Sequence, residues 1–318
     1  MRATFFNFLV EQAAHDPNLY LIVGDVGFSV AEKFQQHYPS RFINAGIAEQ
    51  NMIGVAAGLA MAGKNVYVYS IVPFVTMRCF EQIRNDLCYQ HLPVKLVGVG
   101  GGFSYGTMGA THHAIEDIAI MRALPTMTVV APGNKYEASQ LLLQLNNCTG
   151  PVYLRLAASD ELVAYPPSIT PQLGTACVII PHNRRYLVTT GNALDLGYQV
   201  QQELAQNNIS CGLASMHTVK PIDQSFFANK NLDAVFTIEE HSIIGGLGQA
   251  VAHHLCENSF RGVFHTFGIP DCYAHECCSR QALNNSFGLT PHQIASIIMR
   301  KLQHDHKTSL SSTHLQPA

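Results

Sequence analysis

The sequence predicts an α/β protein of two consecutive domains, the first a parallel sheet with helices on both faces and the second a smaller α/β unit. Three observations predict it. Short, uninterrupted apolar runs (LYLIV, NVYVYSIV and PVKLVGV) recur between stretches of helical periodicity, as strands covered on both faces do. The chain has 318 residues, enough for two domains of ordinary size, and the proline-rich, polar stretch Tyr165 to Gln172 reads as the linker between them. Apolar residues make up 47% and charged residues 13%, which suits large buried surfaces or extensive subunit contact.

Composition also narrows the partners. A formal net charge of −3 leaves no basic footprint for nucleic acid. No apolar run reaches the roughly 18–20 residues of a membrane span. The N-terminus MRATFFNFLVEQ lacks a signal peptide's apolar core and cleavage site, so the nine scattered cysteines read as reduced thiols in a cytoplasm. Cys272, Cys277 and Cys278, with His275 beside them, fit no zinc spacing.

Taken in order, residues 3–14 form a helix with Phe5, Phe6, Phe8 and Leu9 on its apolar side. LYLIVGDVG is a buried strand whose carboxyl end, at Gly24-Asp25, opens into the kind of loop where open α/β sheets bind ligands. Asn44 to Gly63 then carries a single acid, Glu49, in the first turn of an apolar helix. Two accounts of that acid stand side by side. It is a carboxylate favoured by the helix macrodipole, or a carboxyl held in an apolar pocket, where desolvation favours the protonated form and lets it serve a nitrogen heterocycle.

NVYVYSIVPF reads as a strand running into a loop that holds Phe74, and Val75 to Tyr89 as one helix carrying Arg78, Glu81, Gln82, Arg84 and Asp86. PVKLVGVGGG is a further strand followed by three glycines, whose N–H groups could cradle a phosphate, although no Walker lysine or G-x-G-x-x-G helix accompanies them. His112 and His113 follow in GATHH. Read by itself, a loop histidine there caps the helix that follows.

GIAEQNM with AAGLA after it, FEQIRN and GATHH together resemble the pyrimidine-binding domain of transketolases and their thiamine-diphosphate relatives. The segments RRYLVTTGNALDLGYQV, EEHSIIGGLGQAVAHHL and GIPDCYAHECCSRQALNNSFGLT resemble the transketolase C-terminal domain, with Gly245, Gly246 and Gly248 there for close backbone packing. The resemblance runs from about Arg2 to Met299. It implies a pyrimidine-binding thiamine-diphosphate fold over residues 1–164, a linker over 165–172, a transketolase C-terminal α/β domain over 173–302, and a disordered tail over 303–318.

The resemblance also implies roles. Glu49 meets N1′ of the cofactor's aminopyrimidine and favours the imino tautomer that takes up the thiazolium C2 proton. Phe74 stacks on the pyrimidine, Ile47 and Arg78 complete the cofactor contacts, and Asp25 lies near the thiazolium. His112 faces the substrate with His113 as its neighbour, and Arg2 and Ser29 help hold a sugar phosphate. The chain departs from the family at the substrate. Met108 stands where an acid reads a donor hydroxyl, Ala158 replaces the second arginine of the R-L-x-R run, and a substrate-channel histidine has no counterpart. Such losses remove discrimination for the ordinary sugar phosphates, so a smaller 2-oxo acid, or an unusual or nucleotide-linked sugar, would fit.

The family's G-D-G segment with its asparagine, which holds Mg²⁺ (or Ca²⁺) and the diphosphate, does not occur here. The expectation is the β subunit of a split enzyme that moves a two-carbon ketol or acyl unit. An N-terminal subunit would supply the metal site, in an α2β2 assembly. Three alternatives stand beside it: the β subunit of a 2-oxo acid dehydrogenase, a pyruvate-using carboligase, and a non-catalytic homologue kept for assembly or regulation.

Overall fold

The computed structural model describes residues 1–228 and 231–312, with 304–312 described as helix backbone only. Twelve strands form two sheets among these residues. The first sheet holds β1 (Leu19–Val23), β2 (Phe42–Asn44), β3 (Asn65–Ile71), β4 (Lys95–Val99), β5 (Thr128–Val130), β6 (Val152–Leu156) and β10 (Thr218–Lys220). These seven strands lie in the order β10-β5-β6-β4-β3-β1-β2. All neighbours run parallel except β10, which pairs antiparallel with β5. The second sheet holds β7 (Cys177–Ile180), β8 (Arg185–Thr189), β9 (Gly212–Ser215), β11 (Ala234–Ser242) and β12 (Val263–Ile269), in the order β12-β11-β8-β9-β7. Its edge strand β7 is antiparallel and the rest are parallel.

The unbroken apolar runs have a simple cause, since both faces of the first sheet are covered. Ile22, Val66, Val68 and Leu96 point to the Glu49–Met61 helix, which buries Met52, Ile53, Ala56, Ala57 and Ala60 against them. Their alternates Leu21, Val23, Tyr67, Tyr69 and Val97 point to the Arg2–His15 helix and its Phe5, Phe6, Phe8 and Leu9. Phe5 stacks on Tyr69 at 5.7 Å and Phe6 meets the same ring edge-on at 4.9 Å. The carboxyl ends of β1, β3, β4 and β6 therefore open along one edge of a rigid sheet, which is where the site forms.

Two expectations are corrected. Phe74 does not lie in a loop, and Val75 to Tyr89 is not one helix. Val72–Thr76 is a short helix with Pro73 in its first turn, where the missing N–H is harmless. Cys79 then leaves helical geometry, Phe80–Gln82 is a single turn, and Ile83–Cys88 winds as a π-helix. Such widened turns often sit beside functional sites. The final helix runs from Pro291 to Ser312 and so takes in the first residues of the stretch expected as a tail from Gln303. Ile294, Ala295, Ile298 and Leu302 anchor that helix in the second core, and extending a nucleated helix requires only one residue at a time to be ordered. Residues 313–318 of that tail lie outside the described residues.

The stretch expected to link the domains is tied down. Tyr136 donates to the Ile169 carbonyl at 3.0 Å and Gln144 to that of Pro171 at 2.9 Å, so the segment lies along the Lys135–Leu145 helix. A buried polar hub joins the two units. Arg155, 1% exposed, donates to Asp117 at 2.8 Å, to the Ala114 carbonyl at 2.9 Å and to the Glu240 carbonyl at 3.0 Å. The Glu240 carboxylate accepts from the Phe103 N–H, Asn192, Arg280 and Asn284.

Candidate active site

Glu49 opens its helix directly after Ala48, whose φ of −141° and ψ of 57° turn the chain into the helix. The carboxylate is 3% exposed. Arg78 Nη1–H donates to Oε2 at 3.1 Å, and the Ser70 hydroxyl reaches Oε1 only at 3.4 Å. The end of β1 presses in from the other side, because a Cβ added to Gly24 would lie 3.5 Å from Oε1. The acid sits at a helix N-terminus and it is buried. Its surroundings are not purely apolar, however, since a guanidinium faces it. The carboxylate borders an open cavity of about 500 Å³ lined by Ile47, Ala48, Gln50, Asn51 and Arg78.

From Glu49 a row of side chains crosses the ends of the strands. The Arg78 guanidinium lies 3.8 Å over the Phe74 ring. Phe74 meets His112 edge-on at 5.2 Å, and His112 meets Tyr105 at 6.4 Å with the planes at 90°. Burial raises the Tyr105 hydroxyl above its ordinary pKa, and the Arg2 guanidinium opposes that shift. Glu49, Arg78, Phe74, His112 and Arg2 thus converge, with Ile47 at the cavity mouth, 77% exposed. Asp25 stands one residue past Gly24 with φ at +53° and exchanges two hydrogen bonds of 3.1 Å with Asn44.

His112 does not cap the following helix, which begins at Asp117 after Glu116. Its Nδ1 pairs instead with the Thr111 hydroxyl at 3.0 Å, and its N–H donates to the Gly109 carbonyl at 2.9 Å. His113 lies beneath the loop. It is 4% exposed, with Nε2 against the Gly106 carbonyl at 3.1 Å and its ring against Phe103 at 5.1 Å. Ser29 lies on the exposed loop after β1, and its N–H donates to Glu32 at 2.8 Å. Met108 is 56% exposed at the end of a short turn, and Ala158 directs its N–H to the Ser104 hydroxyl at 3.0 Å.

The glycine run cradles no phosphate. Gly100 and Gly101 donate to the Leu156 carbonyl and Gly102 to that of Ala114. What the run provides is room. Gly100 has φ at +92°, and a Cβ there would fall 2.2 Å from the Tyr105 ring. Tyr105 is the site residue that sequence reasoning missed, and its only signal was a second aromatic ring, after Phe103, in the loop that follows the glycine run. Arg155 was legible only as the first arginine of an incomplete phosphate motif. In the fold it is the buried hub that holds the Ala114 carbonyl beside the two histidines. Among the described residues no group of three or more His, Cys, Asp or Glu is placed to hold a metal ion. None of the described helices is long and apolar enough to cross a membrane. All nine cysteines are free.

Known proteins match both halves of the chain. Residues 1–160 match the family described as the transketolase pyrimidine-binding domain, and residues 174–294 match the transketolase C-terminal domain. A putative transketolase C-terminal section of Methanocaldococcus jannaschii is 36% identical over 306 residues, covering 95% of this chain and 96% of that protein. A 6-deoxy-6-sulfo-D-fructose transketolase subunit of Clostridium sp. (strain MSTE9) is 34% identical over 300 residues and 92% of each chain. An apulose-4-phosphate transketolase subunit of Phocaeicola vulgatus is 33% identical over 274 residues, 85% of this chain and 87% of that one. Among solved structures, a split-gene transketolase in an inactive β4 tetramer superposes with a TM-score of 0.83 at 32% identity, covering 95% of this chain and 97% of the other. A transketolase from Pichia stipitis shares the fold at a TM-score of 0.74 and 18% identity, and this chain spans 46% of its length. The chain belongs to the transketolase family, in the form of the C-terminal sections and β subunits of split transketolases.

Proposed function

We propose that this β subunit works with thiamine diphosphate and a separate N-terminal subunit, in an α2β2 complex, to transfer a two-carbon ketol unit between sugars. The observation that carries the reading is Glu49. It is a buried carboxylate with one direct hydrogen bond to a cation, acceptor capacity to spare, and an aromatic ring and a histidine alongside it, at the mouth of a cavity wide enough for a heterocycle. These residues suit the pyrimidine half of the cofactor. The glycine N–H groups are already bonded within the chain, so the diphosphate and its Mg²⁺ (or Ca²⁺) fall to the partner subunit.

When bound, thiamine diphosphate supplies a thiazolium carbon that stabilises a carbanion. This chain supplies the surroundings. Glu49 holds a proton between its carboxyl and the pyrimidine's N1′. Phe74 orients the ring by stacking, which aromatic faces favour. Thr111 engages Nδ1 of His112, which leaves Nε2 to hydrogen-bond a substrate carbonyl and to pass a proton. Met108 and Ala158 put no charge where ordinary transketolases read a hydroxyl and a phosphate. The substrates named for two relatives, apulose 4-phosphate and 6-deoxy-6-sulfo-D-fructose, are likewise unusual sugars. The reading is therefore an unusual ketose rather than a sugar phosphate of central metabolism. The unpaired cysteines suit a reducing cytoplasm.

Native mass spectrometry of the chain drawn from its own host, with thiamine diphosphate and magnesium present, tests the assembly. The expected result is a complex with a second chain of similar size and one cofactor per pair. In that complex, Glu49→Gln should slow hydrogen exchange at the cofactor's C2 by roughly 10²- to 10⁴-fold. Unchanged exchange would remove Glu49 from its role.

A further inference from the structure

Three departures strip polar side chains from the substrate wall. The glycine run lacks a channel histidine, Met108 replaces an acid and Ala158 replaces an arginine. The same loop builds a place for Tyr105. Its ring lies in the space that a side chain at position 100 would fill, since a Cβ on Gly100 would fall 2.2 Å from it. Before Tyr105, the Ala158 N–H donates to the Ser104 hydroxyl at 3.0 Å, and that hydroxyl donates to the Gly101 carbonyl at 2.6 Å. After it, the Met108 N–H donates to the Tyr105 carbonyl at 2.8 Å and closes the Gly106–Met108 turn. The backbone is thus pinned on both sides, and the ring is wedged over Gly100 and set edge-on to His112 at 6.4 Å. A donor held in place by its surroundings has little freedom left to lose when a ligand binds.

The phenol has a direction as well as a place. The Arg2 guanidinium hydrogen-bonds the Tyr105 hydroxyl. A guanidinium donates and cannot accept, so it takes a lone pair of the phenol oxygen and leaves the O–H to point elsewhere. Burial raises the hydroxyl above its ordinary pKa, so it keeps that proton near neutral pH. A cation beside an O–H donor matches an oxyanion, which accepts charge-assisted hydrogen bonds from both.

We propose that Tyr105 is the specificity-determining residue of this active site: its hydroxyl, oriented by Arg2, donates a hydrogen bond to an oxyanionic group of the substrate sugar, a phosphate ester or a sulfonate. The inference deepens the reading above, on which it rests, by naming what the unusual ketose carries. The family resemblance gives Arg2 and Ser29 a share in holding a phosphate, and Tyr105 is the group it does not give. The substrate keeps an anion, and a phenol reads it where Ala158 no longer can.

The test is calorimetric titration of inorganic phosphate and, separately, of sulfate into the complex of the full chain with its native partner subunit. The complex is first saturated with thiamine diphosphate and magnesium, so that the diphosphate pocket is filled. The wild-type complex should bind at least one of the two anions. Tyr105→Phe keeps the ring and its packing and removes only the hydroxyl. Its dissociation constant for that anion should rise roughly ten- to a hundredfold while its thermal midpoint stays nearly unchanged. Phosphate alone marks a phosphate ester, sulfate alone a sulfonate, and both an oxyanion of either kind. No binding of either anion, or equal binding by wild type and Tyr105→Phe, would overturn the inference. Hydrogen exchange at the cofactor's C2 in the wild-type complex keeps the two readings apart. Exchange without a Tyr105-dependent anion site overturns this inference alone, whereas a complex that takes up no thiamine diphosphate removes the proposed function and this inference with it.

Discussion

His112 and His113 are adjacent in sequence, yet the fold gives them opposite surroundings. His112 is half-buried between Phe74 and Tyr105 with one ring nitrogen uncommitted, while His113 is buried under the loop against Phe103 and the Gly106 carbonyl. Their variants should therefore separate. His112→Ala should lower turnover of the assembled enzyme by roughly 10²- to 10⁴-fold and leave the urea midpoint of the chain nearly unchanged. His113→Ala should destabilise the chain by about 1–3 kcal/mol, because it removes a buried hydrogen bond and a packed ring. Steady-state kinetics alongside urea unfolding distinguishes them, and the reverse pattern would exchange the two roles. The local wording GATHH could not assign these roles, because which of two neighbouring rings turns outward depends on the Gly106–Gly109 turn beneath them.

At the scale of elements, the Glu49–Met61 helix has two faces of different character. Its inner face is core, while Gly54 and Gly58 point where an added Cβ would meet nothing within 4 Å. Gly58→Ala should therefore stabilise the isolated chain by about 0.5–1 kcal/mol, since it lowers the entropy lost on helix formation without a clash. A drop in the urea midpoint would show instead that another chain covers this face in solution. Gly248 is the opposite case. It starts the Leu247–Glu257 helix so close to β12 that a Cβ would fall 2.2 Å from Thr266 Cγ2, which accounts for the glycines there by close packing. The broken segment from Val72 to Cys88 shows the limit of periodicity. Its apolar spacing reads as helix throughout, but Pro73 and the joint at Cys79 divide it, and that division sets Arg78 over Phe74.

The whole molecule is held by buried polar groups between the two units, and one pair of them carries a pH signature. Glu239 accepts from the Leu247 and Gly248 N–H groups, and burial, only partly offset by those bonds, lifts its pKa from 4.5 to about 7. His241, 3.8 Å away, donates from Nδ1 to the Ser242 carbonyl and accepts at Nε2 from the Ala119 N–H, a pattern that only the neutral ring satisfies. Burial pushes its pKa from 6.5 to about 4. Between pH 4.5 and 6.5 the folded pair carries one proton, on Glu239, and the unfolded pair also carries one, on the histidine. Folding therefore moves no net proton, and the pair contributes no slope to stability in that window. From pH 6.5 to about 7 only folded Glu239 keeps a proton, so stability falls slightly. In Glu239→Gln the histidine stands alone and the unfolded chain binds more protons, so stability should rise by roughly 1–3 kcal/mol as pH rises from about 4 to 6.5, then level off. Urea midpoints across this range check it, and a variant curve as flat as wild type would show that His241 is not held neutral by the fold.

The amino-acid sequence determined the parallel sheets, the apolar helix with its first-turn acid and the family to which the chain belongs. These are local signals: a strand buried on both faces must be apolar at every position, and an acid at a helix start is written in consecutive residues. The fold itself decided the rest. Tyr105 joins the site because β4 lies beside β3, and β3 beside β1, so that loops distant in sequence open at one edge. Arg155, which reads as half of a phosphate grip, becomes the hub between the units because β6 carries it into the interior against Asp117 and Glu240. Arg78 reaches both Glu49 and Phe74 because a helix breaks at Cys79. Each of these depends on which strand ends become neighbours and where a helix yields to packing, and no window of contiguous sequence contains that information.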